Sequence, residues 1–246
     1  MAASKKYGRD TGPGRKGRPE KTGSRRYTGS AGKKGTTAAF FFKKKWMAAG
    51  LLILLVLTAA LFIRAGVSGG GHRVNVDASE PDFDVQLLDI NPYSRPGIES
   101  NGITGIVIHY TANPGSTAQD NRDYFNGLQY SQATEASSNF VVGLEGEIIQ
   151  CVPTWEVAYA SNDRNYDTVS IEVCHPDESG EFTDATYRSL VQLTAWLCVK
   201  FDLTEDDVIR HYDVTGKNCP KYFVEHEDEW DAFKENVGFA ISRTQS

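Results

Sequence analysis

Two short stretches of this 246-residue chain carry residue types that bind borderline metals. One is Ile106-Val107-Ile108-His109-Tyr110, an apolar, β-branched run closed by an imidazole. The other is His211-Tyr212-Asp213-Val214-Thr215-Gly216-Lys217-Asn218-Cys219-Pro220, which sets a His and a Cys eight residues apart around a Thr-Gly turn. Two imidazoles and one thiolate suit zinc, which takes N and S donors tetrahedrally, and three protein ligands leave the fourth position to water. A histidine in a strand is commonly a core residue satisfied by hydrogen bonds, so His109 gains meaning only beside the His211–Cys219 segment. Lys217 and Cys219 are two residues apart, and in an extended stretch they project to the same side.

A carboxylate joins this set. Along Val169-Ser170-Ile171-Glu172-Val173-Cys174, strand alternation puts Ile171 and Val173 on one face and Ser170, Glu172 and Cys174 on the other. A carboxylate between apolar neighbours is either half of an ion pair, with Arg210 or Lys217 as candidates, or a working group. His175 has the opposite parity to Glu172 and precedes Pro176, so it is expected in a loop and not as a fourth ligand. His72 and His226 read as exposed. Trp155, Tyr159, Asn162 and Asn165 either line a binding groove or form a packed aromatic loop with polar turns.

Positioning these groups requires strands and covering helices. Apolar, β-rich runs predict strands at Gly105–Tyr110, Asn139–Gly143, Glu147–Cys151, Val169–Cys174 and Val208–His211. Helical patterns fall at Thr117–Gln129, Asp184–Phe201 and Glu227–Val237, the second with Leu190, Leu193, Leu197 and Phe201 on one stripe and Thr183 or Asp184 as N-cap. Strands interleaved with helices predict an α/β (α+β) domain, a central mixed sheet flanked by helices, over residues 83–246.

The N-terminal third is different in kind. Residues 1–45 hold 14 of the 26 Lys and Arg but only two of the 32 Asp and Glu, leaving 12 basic against 30 acidic residues beyond them. This tail has too few apolar residues for a core and reads as disordered. Its basic charge fits attraction to anionic lipid or nucleic acid, or a solvated topology signal; the topology signal is the preferred reading, and no nucleic-acid partner is expected. Trp46 to Ile63 is 18 residues without a charge. As a helix it would rise roughly 27 Å, near the thickness of a bilayer's hydrocarbon. Lys43 to Lys45 before it and Arg64 after it predict a single-pass transmembrane helix with the N-terminus in the cytoplasm and the rest outside. A cleaved signal peptide would need a leader far longer than usual. Residues 64–82, with Gly69-Gly70-Gly71 and Pro81, have the composition of a flexible linker. On the oxidising outer side of a membrane, Cys151, Cys174 and Cys198 allow one disulfide or three buried thiols.

Taken together, these motifs resemble the type-2 N-acetylmuramoyl-L-alanine amidases, whose fold is shared by phage lysozyme-type amidases and peptidoglycan recognition proteins. The likeness is carried in order by Ile106 to Ala112, by Ser138-Asn139-Phe140-Val141-Val142-Gly143 with Gly146 to Gln150, by Val169 to Glu172, and by His211-Tyr212-Asp213 through Lys217-Asn218-Cys219-Pro220. The resemblance implies a zinc-dependent hydrolase of the amide between N-acetylmuramic acid and L-alanine in peptidoglycan. It also implies metal ligands at His109, His211 and Cys219, a general base at Glu172 and a cation at Lys217 near the reacting carbonyl. Some relatives carry Tyr or His two residues before the Phe of the second block, where this chain has Ser138, a small hydroxyl that neither reaches as far nor titrates near neutrality. Assistance from that position in relatives would here fall to Glu172 and Lys217, or to Asn139, and the candidate substrate contacts are Ser138, Asn139, Trp155 and Asn162. The alternative within the same fold is a recognition module that binds peptidoglycan without cutting it.

Overall fold

The computed structural model describes residues 73–244. Their strands are β1 (Asp84–Val85), β2 (Gly105–Ile108), β3 (Phe140–Val142), β4 (Ile148–Gln150), β5 (Thr168–Val173) and β6 (Val208–Arg210). The helices are α1 (Ala118–Ser131), α2 (Asp184–Phe201), α3 (His211–Thr215), α4 (Lys221–Glu225) and α5 (Glu227–Thr244). One mixed sheet runs β1-β4-β3-β5-β2-β6. β3 and β4 are antiparallel, whereas β2 lies parallel to both β5 and β6.

Alternation along the strands feeds two cores. Ile106, Ile108, Phe140, Val142, Ile171 and Val173 pack with Leu190, Leu193 and Leu197 of α2 and with Trp230, Phe233 and Val237 of α5. The intervening residues, such as Val141, join Ile149, Cys151 and Cys174 against Phe125 and Leu128 of α1. Fully burying one such side chain is worth about 1.5–3 kcal/mol, so each helix is held mainly through its apolar face.

Local chemistry sets the helix ends. Thr117 caps α1 in a reciprocal capping box with Asp120, and Gln132 closes that helix in the left-handed conformation at φ 53°. Thr183, not Asp184, caps α2 by accepting from the Thr186 amide. Gly216, at φ 76°, ends α3.

Three expectations need adjustment. β2, β3, β4 and β6 are shorter than the apolar runs predict, β5 is shifted by one residue, and His211 opens α3 instead of closing β6. The stretch before Cys219 is turned and not extended, since the Cys219 amide donates to the Lys217 carbonyl at 2.7 Å. Finally, residues 73–82 are not a loose linker: Val74 and Val76 pack against the larger core, Ala78 is buried, and the Val74 and Ala78 amides donate to Asn236 Oδ1 and Thr244 Oγ1. Apolar residues at alternating positions give this segment a face to bury, which its Gly-rich upstream neighbour hides in a composition average. The basic tail 1–45 and the expected membrane span 46–63 lie outside the described residues. Among the described residues no helix is long and apolar enough to cross a membrane.

Candidate metal centre

Sheet register assembles the centre. β2 pairs with β5 so that Ile108 faces Ile171, and with β6 so that Ile108 faces Arg210. One step further along three parallel strands, His109 falls between Glu172 and His211. The His109 amide donates to the Ile171 carbonyl at 2.9 Å, and the two imidazole centroids are 4.6 Å apart. This is the carboxyl edge of a mostly parallel sheet, where side chains from neighbouring strands converge on a loop-lined crevice.

Cys219 arrives from the loop that leaves α3. Its carbonyl accepts from the Tyr212 amide at 2.9 Å, and the Tyr110 amide donates toward its sulfur. The ligand atoms of His109, His211 and Cys219 all lie within 4.8 Å of one another, and all three residues are buried. Cys219 Sγ sits 3.9 Å from His109 Nδ1. In a tetrahedral zinc site a sulfur and a nitrogen ligand are about 3.6 Å apart, so the spacing is close to that of a loaded site. His211 Nδ1 is buried and has no hydrogen-bond partner. A buried orphan acceptor beside an imidazole and a thiol is the feature a metal ion would satisfy, and the donor set fits zinc.

The electrostatics favour ligation on the imidazole side. Burial, then the neighbouring His211 and Lys217, hold His109 well below the ordinary histidine range, and burial with Lys217 lowers His211. Both are therefore neutral at physiological pH, the form that binds metal. Without a metal, burial pushes the Cys219 thiol up to about 12, with the Glu172 charge adding to it.

Glu172 keeps partial access to solvent, yet its Oε2 is buried without a partner. Burial raises its pKa to about 8, and the Lys217 charge pulls the other way. Neither ion pair that the sequence allows for it forms: Arg210 is committed to Asp213 and Glu227, and Lys217 is exposed and acts on Glu172 only through its field.

The remaining candidates divide. Asn162 reaches the centre, but its Oδ1 lies 2.9 Å from His211 Nε2, so it meets a histidine and not an open groove. Asn165 braces a turn, its Oδ1 accepting from the Ala160 and Ser161 amides. Trp155 is exposed. Ser138 and Asn139 are not presented to the crevice: the Ser138 hydroxyl donates to the Phe140 carbonyl, and Asn139 bridges Ser170 and the Pro153 carbonyl, both residues fully buried. Both pin β3 to its surroundings. His175 is buried, with Nδ1 2.7 Å from the Asp177 carbonyl and its ring 5.1 Å from that of Tyr110, and it stands apart from the metal-binding group. His226 is exposed and His72 lies outside the described residues. All four cysteines are free thiols, so no disulfide forms. Ser161 joins the centre without any sequence signal: its buried hydroxyl lies 3.1 Å from His109 Nε2, and a serine in a polar turn looks like any other.

Fold and donor set together define a mixed α/β protein with three clustered candidate metal donors at the carboxyl edge of its sheet. A family model described as N-acetylmuramoyl-L-alanine amidase matches residues 99–222, half of the chain, and the chain belongs to that family. It is 34% identical over 169 residues to a probable N-acetylmuramoyl-L-alanine amidase of Bacillus licheniformis, a match covering 64% of this chain and 47% of the relative. It is 33% identical over 181 residues to N-acetylmuramoyl-L-alanine amidase BlyA of Bacillus subtilis (strain 168), covering 65% and 48%. The catalytic domain of XlyA superposes with a TM-score of 0.54 at 25% identity, covering 64% of this chain and all of that domain. The chain spans about half the length of the curated relatives it matches.

Proposed function

We propose that this chain is a zinc-dependent N-acetylmuramoyl-L-alanine amidase that hydrolyses the amide between the lactyl group of N-acetylmuramic acid and L-alanine in peptidoglycan, remodelling or lysing the wall. The observation that carries the reading is the convergence of three buried ligand atoms beside a carboxylate oxygen left without a partner. His109, His211 and Cys219 would hold the zinc, which when bound supplies Lewis acidity and a lowered pKa for water. Glu172 accepts the proton of the attacking water and returns it to the leaving amine. A carboxylate poised near neutrality by burial suits both transfers. Lys217, whose field reaches Glu172, His109 and Cys219, offsets the negative charge that develops on the carbonyl oxygen.

Membership of the amidase family supports the reaction class, and the relatives' names supply the bond. The test is a digest of defined peptidoglycan by the purified chain, with products identified by mass. Free stem peptides beginning with L-alanine are expected, and none after chelation. Activity that survives complete removal of metal would refute the mechanism, and wall binding without product from the wild-type chain would favour the recognition module.

The same proposal includes an anchor. The uncharged run 46–63 between Lys43–Lys45 and Arg64 supports a single-pass span with the amidase domain on the outer, wall-facing side of the cell membrane. Retention in carbonate-washed membranes, with residues 73–244 open to protease added outside, is the expected result.

A further inference from the structure

Both histidines of the centre use one ring nitrogen for a partner outside it, and the two partners are adjacent in sequence. His109 Nε2 lies 3.1 Å from Ser161 Oγ, and His211 Nε2 lies 2.9 Å from Asn162 Oδ1. The opposite nitrogens are the ones turned inward: His109 Nδ1 faces Cys219 Sγ, and His211 Nδ1 is buried without a partner. An amide oxygen only accepts, so the His211 ring must carry its proton on Nε2, which leaves the lone pair on Nδ1. A hydroxyl can donate or accept, and for His109 the choice is made from the other side, where the sulfur faces Nδ1.

The turn is built to hold these two atoms in place. Asn162 adopts the left-handed conformation at φ 53°, which asparagine tolerates better than most residues. Asn165 Oδ1 accepts from the Ala160 and Ser161 amides, and the Arg164 amide donates to the Ser161 carbonyl at 3.0 Å. Upstream, Tyr159 exchanges hydrogen bonds with Ser137, its amide donating to Ser137 Oγ and its carbonyl accepting from the Ser137 amide. A surface turn with polar side chains is thereby fixed at both ends.

We propose that the Ser161–Asn162 turn is a positioning device for the metal centre: Asn162 holds His211 as its Nε2–H tautomer, and Ser161 accepts from His109 Nε2–H and fixes that ring, so that both Nδ1 lone pairs are aimed at the site before metal arrives. This rests on the reading of His109, His211 and Cys219 as metal ligands. Ser161 and Asn162 are positioning residues, acting through the histidines. Outer partners of this kind commonly contribute 10- to 100-fold in metal affinity.

The test uses the full chain with 15N-labelled histidine, metal-free, at a pH where the rings are neutral, and separately measures zinc affinity by competition with a chromophoric chelator. Asn162→Gly suits the purpose because glycine takes φ 53° without strain, so that only the side chain is lost. The wild type is expected to show slowly exchanging Nε2–H protons on His109 and His211. Asn162→Gly should lose the His211 signal, keep that of His109 and weaken zinc binding about 10- to 100-fold. Ser161→Ala should do the reverse to the two signals, and Asn162→Asp, which keeps an acceptor, should restore the His211 proton. A general loosening of the turn would move both rings together and overturn the proposal. So would a wild-type His211 that carries its proton on Nδ1, or an Asn162→Gly chain with unchanged signals and zinc affinity. A wild-type chain that takes up no zinc refutes the metal reading instead, and the proton signals distinguish that failure from loss of the positioning role.

Discussion

Arg210 and Glu172 are ionisable residues on the two strands that flank β2, on opposite faces of one sheet, and the chain treats them in opposite ways. Arg210 is saturated: its guanidinium donates to both oxygens of Asp213, to Glu227 and to the Phe223 carbonyl, and it lies 5.2 Å from the centre of the Trp230 ring. Glu172 keeps a buried oxygen with no partner, beside a histidine whose inner nitrogen is equally orphaned. Arg210 is answered by its own neighbours on the α5 face, whereas Glu172 Oε2 and His211 Nδ1 at the crevice are left for something the protein does not itself supply. Unsatisfied buried atoms gathered at one place mark a functional site better than any single residue type does.

Removing a ligand should break the contrast most severely. In Cys219→Ala the site loses its only anionic donor, so zinc content should fall to background and stem-peptide release should vanish; metal analysis of the purified variant alongside the digest checks both. Glu172→Gln is the sharper change. It keeps shape and leaves the three ligands intact, so zinc should stay bound while turnover drops roughly 10²- to 10⁴-fold, the usual worth of a general acid–base group. A variant that loses zinc along with turnover would make Glu172 part of the metal site and not the proton carrier.

The same substitution has a stability signature in the metal-free chain. Burial raises the Glu172 pKa from 4.5 to about 8. The folded state therefore holds a proton that the unfolded state releases between those values, so its contribution to stability is present below pH 4.5 and is lost as pH rises to about 8. Each pH step across that interval costs up to about 1.4 kcal/mol, and the penalty by pH 8 is on the order of a few kcal/mol. Metal-free Glu172→Gln should melt close to wild type at pH 5 and clearly above it at pH 8. Zinc should shrink that gap, because a cation beside the carboxylate favours its charged form.

How much of this is legible in the chain follows the same divide between strand and loop. His109 and Glu172 are legible from apolar alternation, at and near the ends of their strands, whereas His211 reads as the last residue of β6 and instead opens α3. Asp184–Phe201 is legible to the residue, since its leucine stripe and Thr183 cap are local signals. The loops offer less. Ser138 and Asn139 look polar and available in sequence, but they are consumed by the Phe140 and Pro153 carbonyls and by Ser170, partners distant or invisible to a local reading. Asn162 reads as belonging to the right region but not as a partner of His211, since only the folded turn brings the two together. Val74 and Val76 are hidden by the glycines before them.

The mildest prediction concerns the saturated side. Arg210→Met keeps an unbranched side chain but removes every side-chain donor and the guanidinium beside Trp230, leaving the Phe223 carbonyl without its partner. Breaking a fully buried pair costs roughly 3–5 kcal/mol. Asp213 and Glu227 keep access to water, Glu227 with 65% of its side chain exposed, and can be solvated once the guanidinium is gone. A loss of about 2 kcal/mol is therefore expected, read as a lower denaturation midpoint in urea. The Arg210 amide still donates to Asp213 Oδ2, so the start of α3, and with it His211, should stay in place. Zinc affinity and turnover per folded molecule should then match wild type. If both fall together with stability, the two faces are mechanically coupled through the Arg210–His211 step, and the division between a self-satisfied side and a working side fails.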